Sequence, residues 1–216
     1  MTSSSVRLQP PFDGAQGGPE ALEGPDLQPM HPRLQELFAY LKVRRNALRE
    51  AVDAVPEAQR SQPPEPGRWS VADVLEHLAL VEGRFTTTLG NRLAEARGQG
   101  LAEERETSPI VGTFDQTAVL DRTSKREAPE VVRPQGLDWK SAWSRLEDTR
   151  RSFLDVFLSA DGLALADVAY VHPRLGSLNL YQWGVWMGAH EGRHVEQIRE
   201  IAATFNSQAS TLTPEA

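Results

Sequence analysis

The last quarter of the chain carries the feature that most narrows what it can fold into. Apolar and aromatic residues recur there at spacings of three and four, the pattern of an amphipathic helix with one buried face. Two histidines four residues apart fall on that face, one turn above the other. A buried imidazole needs a partner, and one divalent metal ion satisfies two imidazoles at once. The stripe consists of Trp183, Met187, His190, His194, Ile198 and Ile201.

Three earlier segments show the same periodicity, so we predict four long helices. A Pro-rich run at residues 62–67 separates the first two, and Ser70 is a good N-cap for the second. Asn179, followed three residues later by Gln182, is a good N-cap for the last. The helices are expected at about 31–55, 70–98, 137–160 and 179–206.

Residues 99–135 lose the periodicity and form one long connection, with a short strand or turn expected near 110–114. The predicted fold is all-α: an antiparallel up-and-down four-helix bundle with one long connection. The bundle should span residues 31–206. A flexible Pro- and Gly-rich arm is expected over 1–30, and a disordered tail over 207–216.

Composition excludes several classes of function. The net charge is −7 without a dense Lys/Arg cluster, so we expect no nucleic-acid partner. Cysteine is absent, which excludes a disulfide framework and a cysteine nucleophile. A metal would therefore be held by histidines and carboxylates, as suits Zn²⁺, Ni²⁺, Mn²⁺ or Fe²⁺. Without an apolar leader or a run approaching 18 apolar residues, we expect a cytoplasmic protein that does not cross a membrane.

A third histidine extends the pair. His77 borders the apolar face of the second helix, and the core of a bundle is where facing helices build metal sites. His77, His190 and His194 plus water would form an open three-histidine site. The alternative is histidines satisfied by neighbouring side chains or water. Glu82 is a candidate to orient a ligand imidazole, although a glutamate there is more often exposed.

The other histidines carry weaker expectations. His172 precedes a proline in the loop before the last helix and is interpreted as a turn residue that could approach the mouth of the site. His31 lies at the edge of the arm and is expected in solvent.

Residues 190–194 also spell His-Glu-x-x-His, the motif in which zinc proteases use the glutamate as general base. The downstream glycine and third histidine of the extended motif are missing, and few residues remain to supply another ligand. Glu191 also lies about 100° round the helix from His190. We interpret Glu191 as a surface residue or as one that supports the ligands.

At this point the chain resembles the DinB/YfiT-like metalloenzyme superfamily. The resemblance rests on WSxxDVxEHL at 69–78, HPxxG at 172–176, LNxxxW at 178–183 and HxxxHxxQI at 190–198. It covers about residues 32–206 and implies an often dimeric four-helix bundle. It also implies that His77, His190 and His194 hold a divalent ion, usually Zn²⁺ or Ni²⁺.

The resemblance leaves the chemistry open. Some relatives look like S-transferases or isomerases that use bacillithiol or mycothiol, and others carry the name of metal-dependent hydrolases. We favour a thiol S-transferase acting on a small molecule. The alternatives are a hydrolase that uses metal-bound water and a non-catalytic bundle that binds a metal or ligand. A homodimer is allowed by the resemblance.

Overall fold

The computed structural model describes residues 29–123 and 127–211. Four long helices dominate this part of the chain, joined by turns of 3-10 helix, one short helix and one small hairpin. The helices are α1 (Pro32–Asp53), α2 (Val71–Gly98), α3 (Thr117–Leu120), α4 (Trp139–Leu158) and α5 (Leu180–Thr211), and the strands are β1 (Ala169–His172) and β2 (Gly176–Asn179). The predicted all-α four-helix bundle with one long connection is confirmed.

Side-chain contacts give the direction of each helix. Gly184 lies against Leu37 and Gly188 against Tyr40, so α1 and α5 run parallel to each other. Gly83 lies against Thr149, and the Phe85 and Phe153 rings are 5.6 Å apart, so α2 and α4 are also parallel.

The two parallel pairs run in opposite directions. The His77 ring lies 4.9 Å from His194, whereas the Phe85 ring lies 5.1 Å from Trp183, so α2 is antiparallel to α5. The long connection returns the chain to the end from which α2 started. The order is therefore up, down, down, up, so the strictly alternating up-and-down order predicted from sequence was wrong.

The helix starts follow the sequence signals. Ser70 and Asp73 form a reciprocal capping box at the start of α2. Asn179 and Gln182 do the same at α5, with reciprocal bonds of 3.0 and 2.9 Å. His31, expected in solvent, is instead the N-cap of α1, where its Nδ1 accepts from the Arg33 amide.

Helix α5 continues to Thr211, beyond the expected end near residue 206. Residues 207–211 are therefore helical, and their assignment to a disordered tail was wrong. The predicted arm over residues 1–28 and the tail over 212–216 lie outside the described residues.

The long connection is held against the bundle. Its expected strand or turn near residue 110 is a turn of 3-10 helix at Val111–Thr113. Glu36 of α1 accepts hydrogen bonds from the backbone amides of Ile110 and Val111. At its far end, one oxygen of the buried Glu76 accepts from three successive amides, at 2.9 to 3.1 Å.

The β-hairpin was missed by the sequence analysis. β1 and β2 pair antiparallel, with Ala169 opposite Asn179 and His172 opposite Gly176. The turn ends at Gly176, whose φ of 77° favours glycine. The Trp183 indole donates to the Tyr170 carbonyl at 3.3 Å, which ties the hairpin to α5.

The bundle interior is divided by a layer of buried charges. One apolar cluster contains Leu41, Phe85 and Phe153, and the other contains Leu48 and Leu78 among others. Between them each long helix contributes one charged side chain. These four residues, called here the charge layer, are Arg45, Glu82, Arg150 and Glu191.

Arg150 is the centre of the charge layer. Its Nη2 donates to Glu191 Oε2 at 2.6 Å, and its Nε donates to Glu82. Arg45 Nε donates to the other oxygen of Glu191 at 2.6 Å. Burial by itself would lower the Arg150 pKa, but the two carboxylates raise it, so the guanidinium remains charged.

Replacement of Arg150 should destabilise the fold strongly. Arg150→Ala leaves two buried carboxylates with less than their full set of partners, and we expect a loss of roughly 3–5 kcal/mol in the free energy of unfolding. Arg151→Ala is the matched control, because Arg151 is exposed and pairs only with the exposed Asp148. Its effect should stay within about 0.5 kcal/mol. Urea unfolding measures both, and equal effects would show that the charge layer is not important for stability.

Candidate metal centre

The fold brings three histidines together. His77 comes from α2, and His190 and His194 come from α5. One ring nitrogen from each lies within 4.8 Å of the others. These are the three residues singled out from sequence as metal ligands. Within residues 29–123 and 127–211, no fourth His, Asp or Glu joins the cluster.

Hydrogen bonds select the nitrogens that remain free. His77 Nδ1 lies 2.8 Å from the Val132 carbonyl, and His194 Nδ1 lies 2.8 Å from Gln197 Oε1. A carbonyl oxygen only accepts, so both Nδ1 atoms carry the proton. The Nε2 atoms of His77 and His194 then carry a lone pair and no proton, which is the arrangement typical of metal-bound imidazoles.

Burial keeps the cluster neutral. It lowers the pKa of His194 to about 3, with a further contribution from His77, and lowers that of His77. The pKa of His190 is lowered well below its usual value by burial, by the other two imidazoles and by Arg193. Neutral imidazoles are the form that binds metal.

The distance between the two histidine nitrogens of α5 fits a divalent ion. His190 Nε2 and His194 Nε2 are 3.3 Å apart. Two nitrogens bound to one tetrahedral ion at about 2.1 Å would lie about 3.4 Å apart. The buried Nδ1 of His190 has no hydrogen-bond partner among the described residues. Three neutral imidazoles facing one point therefore suit Zn²⁺ or a similar ion.

A cavity of about 980 Å³ opens over the cluster. Its aromatic wall packs on the candidate ligands: the Trp186 ring stacks on His190 at 5.2 Å and an interplanar angle of 16°, and Trp69 lies 5.0 Å from His77, tilted by 49°. The volume is at the upper end of the range for small-molecule sites. The three histidines are thus accessible to a ligand of substantial size.

His172 lines the same cavity but is not part of the cluster. It ends strand β1 rather than lying in a loop, and its ring is 5.1 Å from that of Trp186. Its Nδ1 accepts from the Arg174 amide at 3.1 Å, so Nε2 carries the ring proton in the neutral form. His172 was interpreted from sequence as a turn residue that could approach the mouth of the site, and it lines the cavity from the end of a strand.

Glu82 and Glu191 lie in the charge layer, which was not expected from sequence. Glu82 is neither exposed nor hydrogen-bonded to an imidazole: it is buried and pairs with Arg150 and Arg45. Glu191 is not a surface residue, because both its oxygens accept from arginines of the charge layer. A carboxylate engaged in this way is not available as the general base of a zinc protease. This agrees with the interpretation that Glu191 supports the ligands and does not act as a base.

Some contributors were missed because they come from connections. Val132 reaches His77 from the long connection, and no sequence spacing links the two residues. The charge layer did leave a signal: Arg45 follows Leu41 by four and precedes Leu48 by three, so it lies on the apolar stripe. A charged residue on such a stripe predicts a buried partner.

The comparisons with known proteins agree with this geometry. Residues 40–198 match the family model of the DinB superfamily. The chain belongs to the DinB superfamily. It is also 28% identical over 142 residues to the uncharacterized protein YuaE of Bacillus subtilis (strain 168), an alignment that covers 65% of this chain and 82% of that protein.

No solved structure matches the chain significantly. None of the helices in the described ranges has the length and apolarity needed to cross a lipid bilayer.

Acid should destabilise the metal-free protein through its buried histidines. The folded-state pKa of His194, about 3, lies below the ordinary value of 6.5, so below pH 6.5 the unfolded chain binds more protons. This stability is fully present above pH 6.5 and is lost as the pH falls toward 3. At pH 5 the loss amounts to roughly 2 kcal/mol for this residue.

Urea unfolding at two pH values, in the presence of a chelator, measures the effect. His194→Gln cannot titrate and should show a smaller loss between pH 7 and pH 5 than the unchanged protein. The same loss in both would contradict the assignment of a neutral buried imidazole.

Proposed function

We propose that this chain is a metal-dependent enzyme that transfers a small external thiol to an electrophilic small molecule. The observation that carries the proposal is a three-histidine cluster that no further His, Asp or Glu of the described residues joins, open to a large cavity. Catalytic zinc sites have three protein ligands and one open position, whereas structural sites are closed by four. Zn²⁺ or Ni²⁺ is the proposed ion, with Mn²⁺ or Fe²⁺ as alternatives.

The protein residues hold and orient the reactants. A divalent ion at His77, His190 and His194 would lower the pKa of a bound thiol or water. The hydrogen bonds from His77 to Val132 and from His194 to Gln197 keep both rings in the ligating orientation. The exposed faces of the cavity tryptophans offer an apolar surface for the electrophile.

The surroundings of the cluster favour a thiol over water. Hydrolysis usually needs a general base, and the nearest candidate in sequence, Glu191, is engaged by Arg45 and Arg150. A thiol needs only to lose its proton to solvent. Its sulfur then bonds to the electrophilic carbon, and the bond from that carbon to the leaving group breaks, with the electron pair going to the leaving group. Since the chain has no cysteine, the thiol must come from outside.

The alternative function is hydrolysis. The position of His172 favours hydrolysis, because an imidazole at the cavity wall could take a proton from water. A bundle that only binds a metal is the third candidate. Metal analysis and turnover assays separate the three.

Loss of a cluster histidine should abolish stoichiometric metal binding. We expect untagged protein, purified from cells grown with Zn²⁺ or Ni²⁺, to carry one ion per chain by elemental analysis. The variants His77→Ala and His190→Ala should carry far less metal. His31→Asn is the control, because His31 caps α1 outside the cluster and asparagine is also a good N-cap. Metal-free unchanged protein, or variants that keep the ion, would contradict the site.

Turnover should require both the ion and a thiol. We expect the metal-loaded protein to couple bacillithiol or another small thiol to an epoxide or a chlorinated aromatic, as measured by product formation. His194→Ala should lower kcat/KM by at least roughly a hundredfold, the order of effect expected when a ligand set is broken. Metal-dependent turnover without any thiol would instead support the hydrolase, and no turnover with a bound ion would support the binding protein.

A further inference from the structure

Positive charge is concentrated around the cavity of an acidic protein. The whole chain carries −7, yet among the described residues the cavity lining contains five arginines and two acidic residues. One sign of charge around a cleft focuses the field and raises the local concentration of oppositely charged ligands. The charged lining residues are Arg68, Arg122, Arg133, Arg174 and Arg193, with Asp73 and Glu127.

Four of these seven side chains have structural partners. Arg68 forms ion pairs with Glu65 and Glu200, at 3.7 and 3.9 Å. Both Nε and Nη2 of Arg122 donate to Glu200, at 3.0 and 2.5 Å. Arg193 donates to the backbone carbonyl of Asp121. Asp73 closes the capping box of α2. Their charges contribute to the field, but their hydrogen-bonding groups are already in use.

Arg174 and Arg133 are differently placed. Both are exposed at the cavity, and in the described ranges neither guanidinium forms an ion pair. Arg174 lies in the hairpin turn, where its charge adds to burial in lowering the pKa of His172. Arg133 directly follows Val132, the residue that holds His77, and only its Nε is used, by the Ala128 carbonyl at 3.2 Å.

The two arginines approach the metal centre from two connections. Arg174 comes with the hairpin, beside His172 and Trp186, whereas Arg133 comes with the long connection beside His77. Trp69 and Trp186 line the same cavity. A ligand with an apolar body and an anionic group matches both kinds of surface.

We propose that the cavity binds an organic oxyanion whose apolar body lies against Trp69 and Trp186 and whose anionic group is held by Arg174 and Arg133. A guanidinium presents paired N–H donors that match a carboxylate or phosphate, and it stays charged at every physiological pH. The anion binds in this way even without a metal. Its role as the substrate of the metal centre rests on the proposed function.

The test compares an acid with its neutral isostere. Metal-free protein with chelator present is titrated at low ionic strength with 2-naphthoate and with 2-naphthamide, by calorimetry. The naphthalene body is common to both, so the ratio of the two dissociation constants isolates the anionic group. We expect the acid to bind roughly ten- to a hundredfold more tightly, as for hydrogen bonds to a charged group.

Single replacements locate the origin of that ratio. Arg174→Gln and Arg133→Gln should each reduce the preference for the acid severalfold and leave the affinity for the amide unchanged, which also shows that the variant is folded. Arg151→Gln is the matched control: it removes the same charge from the exposed face of α4, away from the cavity, and should leave the ratio unchanged.

Equal affinities for the acid and the amide would overturn the proposal, and so would a preference that survives both replacements. A preference that appears only after loading with Zn²⁺ would place the anion on the metal, which overturns the arginine assignment and leaves the proposed function standing. Conversely, anion binding in a protein that takes up no metal supports this inference while the proposed function fails. Titration with 2-naphthyl phosphate shows which oxyanion the arginines prefer.

Discussion

The buried pairing of Arg150 with Glu82 and Glu191 is the interaction on which the arrangement of the bundle depends. Each buried ion costs several kcal/mol to desolvate, so such a layer persists only when its charges meet in good geometry. Arg45 supplies the second cation, and the four charges come from the four long helices. A shift of any helix by one turn would separate buried charges. We infer that the layer sets the register of the helices more than it adds to stability.

The charge layer also fixes the position of two histidines, because they lie on α5. Glu191 is held from one side by Arg45 and Arg150, which restrains rotation of α5 about its axis. His190 and His194, about 100° and 60° away around the same helix, then face α2 and His77. The candidate metal centre and the charge layer therefore depend on the same rotational orientation of α5. The glutamate of the His-Glu-x-x-His pattern is needed for structure, although it is not placed to act as a base.

Much of this could be predicted because it is local or periodic. The spacing of His190 and His194 on an apolar stripe, the N-caps Ser70 and Asn179, and the apolar faces of the helices all follow from residues close in sequence. The pairing of Val132 with His77 could not be found in this way, because it depends on the path of a long connection. The partners of Glu82 depend equally on how four helices meet, and a single sequence does not specify that.

The helices and the connections carry different groups of the candidate site, and this affects how such proteins can diverge. The histidines and the charge layer lie on the helices, where a change affects the packing of the whole bundle. By contrast, several of the residues that line the cavity lie on connections between the helices, notably Arg133 and Arg174. Substitutions in those two segments can alter what enters the cavity without moving the metal ligands. On the proposed function, one bundle could acquire new substrates by exchanging short exposed segments while its three histidines stay in place.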